Sequence, residues 1–222
     1  MKFEREKRIF VVAKAGRAKD IPLEFIKKYA PRMRGAGIHA MSMKIHSRRD
    51  LESLGERAPL LKRRNVYVVA NMSTTLPLQG AYLPVDAFQV EFSRLRQSQL
   101  LPLVQSEGIP VFADFVPKDL PSVKKFLGDQ WKKRAFPLVL MASAAREEIF
   151  RSLSHIRKKS LYTGYTDRTE GVVSGILALS WGAQVVEKRI RTSRASGVAH
   201  SYSFDELKIY ASLLKETKRH LG

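Results

Sequence analysis

The sequence predicts a single-domain α/β protein, a (β/α)8 (TIM) barrel spanning residues 1–222, and three observations predict it. Short runs rich in Val, Ile and Phe alternate with amphipathic stretches; the runs number roughly eight; and glycine recurs between a helix and the strand after it. At 222 residues, with 44% hydrophobic and 27% charged residues, the chain can bury a substantial core and sits near the lower size limit for a closed barrel.

The apolar runs place strands at 8–15, 38–45, 66–71, 87–92, 109–114, 137–142, 161–164 and 183–190. Stretches with polar or proline starts place helices at 22–34, 50–62, 97–107, 118–130, 143–158, 169–181 and 203–221. The weakest unit is 73–82, where prolines and a glycine point to a turn or a degenerate helix. Gly37, Gly108 and Gly182 each follow a helix and precede a strand, where a left-handed cap is commonly needed. No Pro/Ser-rich linker or low-complexity segment interrupts this alternation, so one domain is the economical count.

The absence of cysteine excludes disulfides, thiolate zinc sites and a cysteine nucleophile, and suits a reducing compartment. Residues 1–8 are charged with both signs, the apolar run 9–13 is too short for a signal-peptide core, and no stretch approaches the roughly 20 apolar residues that span a bilayer. The expectation is a cytoplasmic protein with no membrane partner. Forty Lys and Arg against 21 Asp and Glu leave +19, so an acidic partner has to be considered. The cations are nevertheless dispersed in small groups such as Lys62-Arg63-Arg64 and Lys132-Lys133-Arg134, the usual pattern of solvated helix faces. No RNA-recognition, KH, zinc-finger or helix-turn-helix signature accompanies them, which leaves nonspecific, salt-sensitive nucleic-acid binding as a secondary partner reading. A homodimer is equally open.

Residues 162–222 carry a more specific pattern. Gly164 and Thr166-Asp167-Arg168-Thr169 are followed by an apolar helix ending in Gly182-Ala183, then Glu187-Lys188-Arg189-Ile190, Gly197 to His200, and Ser203-Phe204-Asp205-Glu206-Leu207. In this order the segments resemble the end of the sialic acid synthase (NeuB, N-acetylneuraminate synthase) barrel. Upstream, 36–46 and 87–113 resemble that family's second, fourth and fifth strands. No antifreeze-like domain of the kind that family commonly carries follows Gly222.

The resemblance implies carbohydrate biosynthesis by a transferase: condensation of phosphoenolpyruvate with an amino-sugar aldehyde, assisted by a divalent metal ion on two histidines. Here those histidines correspond to Arg168 and to Met141 or Ala142, so no metal ligand is assigned and no cofactor is firmly implied. The family's acidic residue at the end of strand one becomes Lys14, and its phosphoenolpyruvate-contacting lysine on strand four becomes Gln89. A lysine on strand two becomes Ser42, with Lys44 two residues on and on the same face, and a serine after strand five becomes Asp114. Asp167, Thr169, Glu187 and Lys188 persist and are compatible with pairing at the barrel rim.

In a barrel of this class functional groups gather where strands end. Those positions offer Lys14, Lys44, Arg94, Arg96, Arg168, Lys188 and Arg189 as an anion site for a phosphorylated or carboxylated small molecule. The competing reading is that half of them pair with Glu91, Asp114, Asp167 and Glu187 or point away from the mouth. Catalytic candidates are Lys14 or Lys44, either of which could form a Schiff base if crowded by positive charge, and Asp114 and Asp167 as acid and base. His46, His155 and His200 have no ligand spacing. Three functions therefore compete: a divergent sugar-acid-synthase-like enzyme, a non-catalytic barrel serving as an anion- or nucleic-acid-binding or assembly module, and a lysine-dependent aldolase or dehydratase acting through Lys14 or Lys44.

Overall fold

The computed structural model of the chain describes residues 9–72, 83–95, 104, 107–129, 137–143, 150–153, 156, 162–193 and 200–221. Its strands are β1 (Phe10–Arg17), β2 (Ala40–Ile45), β3 (Tyr67–Met72), β4 (Ala87–Glu91), β5 (Val111–Phe115), β6 (Leu138–Ala142), β7 (Tyr162–Asp167) and β8 (Val185–Arg189). Each pairs in parallel with the next, and β8 pairs with β1, closing the barrel in sequence order. Packed outside are α1 (Leu23–Met33), α2 (Arg48–Lys62), the single turn α3 (Phe92–Leu95), α4 (Leu120–Asp129), α5 (Val173–Ser180) and α6 (Phe204–His220). Most of the expected helices 97–107 and 143–158 and the weak unit 73–82 lie outside the described residues.

The reason these runs become barrel strands is that both faces are buried, which makes them continuously apolar rather than alternating. Val12, Ala40, Val69, Ala87, Phe112, Val139, Met141 and Val185 fill the interior with no exposed surface, floored at the N-terminal end by Phe10, Tyr67 and Tyr162. The other face of each strand packs under the helices, as Val11, Val68, Leu140 and Val186 do. Gly164 keeps this interior closed: a Cβ there would run into Met141 Sδ on the neighbouring strand.

The helix-to-strand glycines do what the sequence suggested, with positive φ at Gly37 (78°), Gly108 (62°) and Gly182 (101°). Helix starts are capped by side chains: Ser47 accepts from the Asp50 amide at α2, and Ser203 and Glu206 form a reciprocal capping box at α6. Two expected boundaries move. The seventh strand runs to Asp167 rather than ending at Gly164, and the helix expected from 169 begins at Val173, because Asp167 ties the Thr169 amide into a turn that passes through Gly171 at φ 69°. Among the described residues no helix is long and apolar enough to cross a membrane.

Candidate functional site

The site is built by strand parity. Side chains two apart point to the same face, so the set that starts with Phe10, Val12 on β1 brings Lys14 into the barrel, and the set with Val185 on β8 brings in Glu187 and Arg189. Directly above the apolar plug lies a polar layer of Lys14, Ser42, Gln89, Asp114, Thr166 and Glu187. Ser42 Oγ donates to Gln89 Oε1 (2.8 Å), and Gln89 Nε2 lies 3.0 Å from both Asp114 oxygens and from Glu187 Oε2. Thr166 Oγ1 donates to Glu187 Oε2 at 3.2 Å. Lys14 Nζ bonds the same Glu187 oxygen at 2.6 Å and stands 3.8 Å from Asp114 Oδ2. Glu187 Oε1 is left buried without a hydrogen-bond partner among the described residues.

Above this layer opens a cleft of about 370 Å³ whose lining includes Lys14, Lys44, Asn71, Asp114, Arg168 and Arg189. Ser143, also in its lining, has a buried hydroxyl with no partner among the described residues. A second cleft of about 380 Å³ adjoins it, bounded by Gly16, Arg17, Asp20, Thr192 and Ser201 and sharing Lys44 and Arg189 with the first. Burial, followed by the charge of Glu187, pushes the Asp114 carboxyl up to about 6, against the opposing pull of Lys14, the Gln89 bond and Arg168. Burial likewise lowers the Lys44 ammonium, helped by Lys14, Arg189 and Arg168 and opposed by Glu187.

Five of the sequence candidates thus share one mouth: Lys14, Lys44, Asp114, Arg168 and Arg189. Arg94 does not line it; on α3 its guanidinium pairs with Glu91 at 3.1 Å. Arg96 lies outside the described residues, as does His155. Asp167 and Lys188 are carried to the opposite face of their strands, between the barrel and its helices, and both side chains are fully buried. There Asp167 accepts from the Thr169 amide (2.9 Å), Ser174 Oγ (2.9 Å) and Tyr210 Oη (2.7 Å). Lys188 Nζ sits 3.2 Å from Asp167 Oδ2, donates to the Thr169 carbonyl and lies 4.5 Å from the centre of the Tyr202 ring. Burial lowers the Lys188 ammonium, with Asp167 opposing. The rim pairing of Asp167, Thr169 and Lys188 is therefore a clamp that fastens α5 and α6 onto β7 and β8. His200 faces Glu170 at 3.2 Å, far in kind from a ligand cluster.

The residues present do not fit a divalent cation. The Lys14 ammonium occupies the space between the two carboxylates, Arg168 adds a permanent cation at the turn after β7, and Met141 is enclosed in the plug against Gly164. Among the described residues no group of three or more His, Cys, Asp or Glu side chains converges.

Fold and site together define a closed parallel (β/α)8 barrel with a cationic mouth over a buried lysine–amide–carboxylate layer. No protein-family model and no curated protein sequence matches the chain. Solved structures do match it over its whole length. The N-acetylneuraminic acid (sialic acid) synthetase of Leptospira borgpetersenii serovar Hardjo-bovis, in complex with citrate, superposes with a TM-score of 0.72 at 17% identity, covering 100% of this chain and 90% of that one. The spore coat polysaccharide biosynthesis protein SpsE of Bacillus subtilis gives 0.75 at 15% identity, covering 100% and 72%. A truncated 3-deoxy-D-arabino-heptulosonate 7-phosphate synthase of Thermotoga maritima gives 0.72 at 15%, covering 99% and 95%. At these identities the likeness is one of fold, a (β/α)8 barrel that the chain shares with the sialic acid synthetase resembled by residues 162–222 and with the heptulosonate-phosphate synthase alike.

Parity also identifies what strand ends alone did not. Gln89, the centre of the polar layer, reads in the sequence only as a replaced lysine, and Asn71 and Ser143 carry no motif. Stepping by two from Val69, Ala87 and Val139 reaches all three.

Proposed function

We propose that the chain is a divergent sugar-acid-synthase-like barrel, placed in the cytoplasm, that binds a phosphorylated or carboxylated small molecule at its mouth. The observation that carries this reading is the convergence of Lys14, Lys44, Arg168 and Arg189 on one cleft beside Asp114. Guanidinium forks suit the paired oxygens of phosphate or carboxylate, and an ammonium adds a point charge. The buried Ser143 hydroxyl, without a partner among the described residues, supplies a further donor for such an anion. Sialic acid synthetase with citrate and a heptulosonate-phosphate synthase, both on this fold, make the class of ligand a natural one. With its carboxyl pushed up to about 6, Asp114 can hold a proton near neutral pH and pass it to a bound molecule. Carbon–carbon bond formation, the reaction that the sialic acid synthase resemblance implies, would be carried here by positioning and proton transfer from the chain's own residues.

Isothermal titration with phosphate, citrate and phosphoenolpyruvate at two salt concentrations tests this. Binding at both concentrations is expected, weakened at least tenfold by Arg168→Met or Arg189→Met in a protein that keeps its circular dichroism. Absence of binding by all three anions would remove the proposal. The net charge of +19 favours a second reading, a non-catalytic module for a polyanion. It predicts tight, steeply salt-dependent binding of labelled single-stranded RNA with no small-anion binding.

A further inference from the structure

We propose that Lys44 is a covalent nucleophile, forming an imine with the carbonyl of an anionic aldehyde or keto acid held in the mouth. The inference rests on the mouth being a ligand site and goes beyond anion binding to a reaction. Three lysines line the mouth: Lys118 is exposed on the turn after β5, and the surroundings of Lys14 and Lys44 separate those two. Lys14 is committed: its ammonium bonds Glu187 at 2.6 Å, faces Asp114 at 3.8 Å, and its side chain is only 8% exposed. Lys44, at the end of β2, makes no hydrogen bond or ion pair among the described residues, is half-buried, and lies on the boundary of both clefts. A ligand extending across the two clefts has to pass it.

The groups facing Lys44 come from several elements. Lys14 and Arg17 come from β1, Arg189 and Glu187 from β8, Arg168 from the turn after β7, Asp114 from β5, Glu91 from β4, and Asp20, Lys118 and Asp119 from the turns after β1 and β5. Burial and the charges of Lys14, Arg189 and Arg168 lower the Lys44 ammonium from its ordinary value, with Glu187 opposing, which eases loss of the proton that an amine nucleophile must shed. Arg168 and Arg189 are the permanent cations that would hold a substrate's phosphate or carboxylate, which leaves Lys44 to meet its carbonyl.

The step balances without an outside oxidant or reductant. The neutral Lys44 amine adds to the carbonyl carbon, giving a carbinolamine. The Asp114 carboxyl then donates a proton to the departing hydroxyl, which leaves as water. One C=N bond forms, one C=O bond breaks, Lys44 carries an iminium and Asp114 is left as a carboxylate able to take back a proton from the carbon next to the iminium.

The test incubates the full chain with pyruvate or dihydroxyacetone phosphate and sodium cyanoborohydride, followed by intact mass and peptide mapping. The expected result is one reduced adduct on Lys44, formed at least tenfold faster than on any other lysine and slowed by inorganic phosphate. Lys44→Arg should lose that adduct in a protein that keeps its circular dichroism and its urea midpoint. Adducts spread over exposed lysines in proportion to their exposure, or concentrated on Lys14, would overturn the proposal. If phosphate binds but Lys44 is not labelled, the imine falls and the anion site stands. If phosphate does not bind and Lys44 is not labelled, both fall.

Discussion

Lys14 sits where a buried cation is indispensable to two carboxylates. Removing one partner of a buried charge cluster leaves the others uncompensated, which typically costs about 3–5 kcal/mol. Lys14→Met is therefore expected to lower stability by about 3 kcal/mol in urea unfolding at pH 7, and to lose less at pH 5, where Asp114 is protonated. Asp114 itself gives a signed pH dependence. Its folded-state value, about 6, lies above the ordinary 3.8, so the stability it contributes is full below pH 3.8 and is lost as pH rises through 6. Asp114→Asn should then gain on the natural protein between those limits, and equal pH profiles for the two would contradict the buried setting. Asp50 works in the other direction. Burial raises its carboxyl, but bonds from Ser47, Arg17 and the amides of His46 and Lys19 hold it down to about 2, so its contribution is present above 3.8 and fades as pH falls toward 2.

At the level of elements, the contact between α5 and α6 is set by a missing side chain. A Cβ on Gly175 would collide with Tyr210 Oη, the hydroxyl that donates to Asp167. In an exposed helix Gly→Ala gains about 1 kcal/mol; here overpacking costs about 1–3 kcal/mol and strains the Tyr210–Asp167 bond. Gly175→Ala should destabilise by about 1 kcal/mol or more on balance, measured by urea unfolding, whereas Gly175→Ala in a Tyr210→Phe background should cost less. This clamp also marks where the sequence was legible and where it was not. Strand number, glycine punctuation and the helix start at Ser203 could all be read, because each depends on local chemistry. The sides taken by Asp167 and Lys188 could not, because β7 and β8 are buried on both faces: Val185 and Val186 are equally apolar, and no alternation announces which neighbour points inward. The mouth residues Lys14, Lys44, Asp114, Arg168 and Arg189 were within reach because strand ends collect there whatever the details of packing.

For the molecule as a whole the question is how +19 is tolerated. Self-repulsion among excess cations destabilises the compact state, and salt relieves it as the Debye length shrinks from about 10 Å at 0.1 M to about 3 Å at 1 M. Surface pairs such as Arg48–Glu52 and Lys27–Glu24 weaken in the same salt, but each is worth about 0–1 kcal/mol, and the cations far outnumber their partners. Sodium chloride should therefore raise the urea midpoint with an unchanged slope. Phosphate at matched ionic strength should raise it further, because a ligand bound only by the folded state adds about 2.7 kcal/mol at a hundred times its Kd. Arg189→Met separates the two effects: it should cut the phosphate increment by about 1.4 kcal/mol or more and leave the chloride effect almost intact, since one charge in the mouth is a small part of the total. If chloride and phosphate act alike on the natural protein, the cations are a diffuse surface charge and the mouth holds no anion of its own.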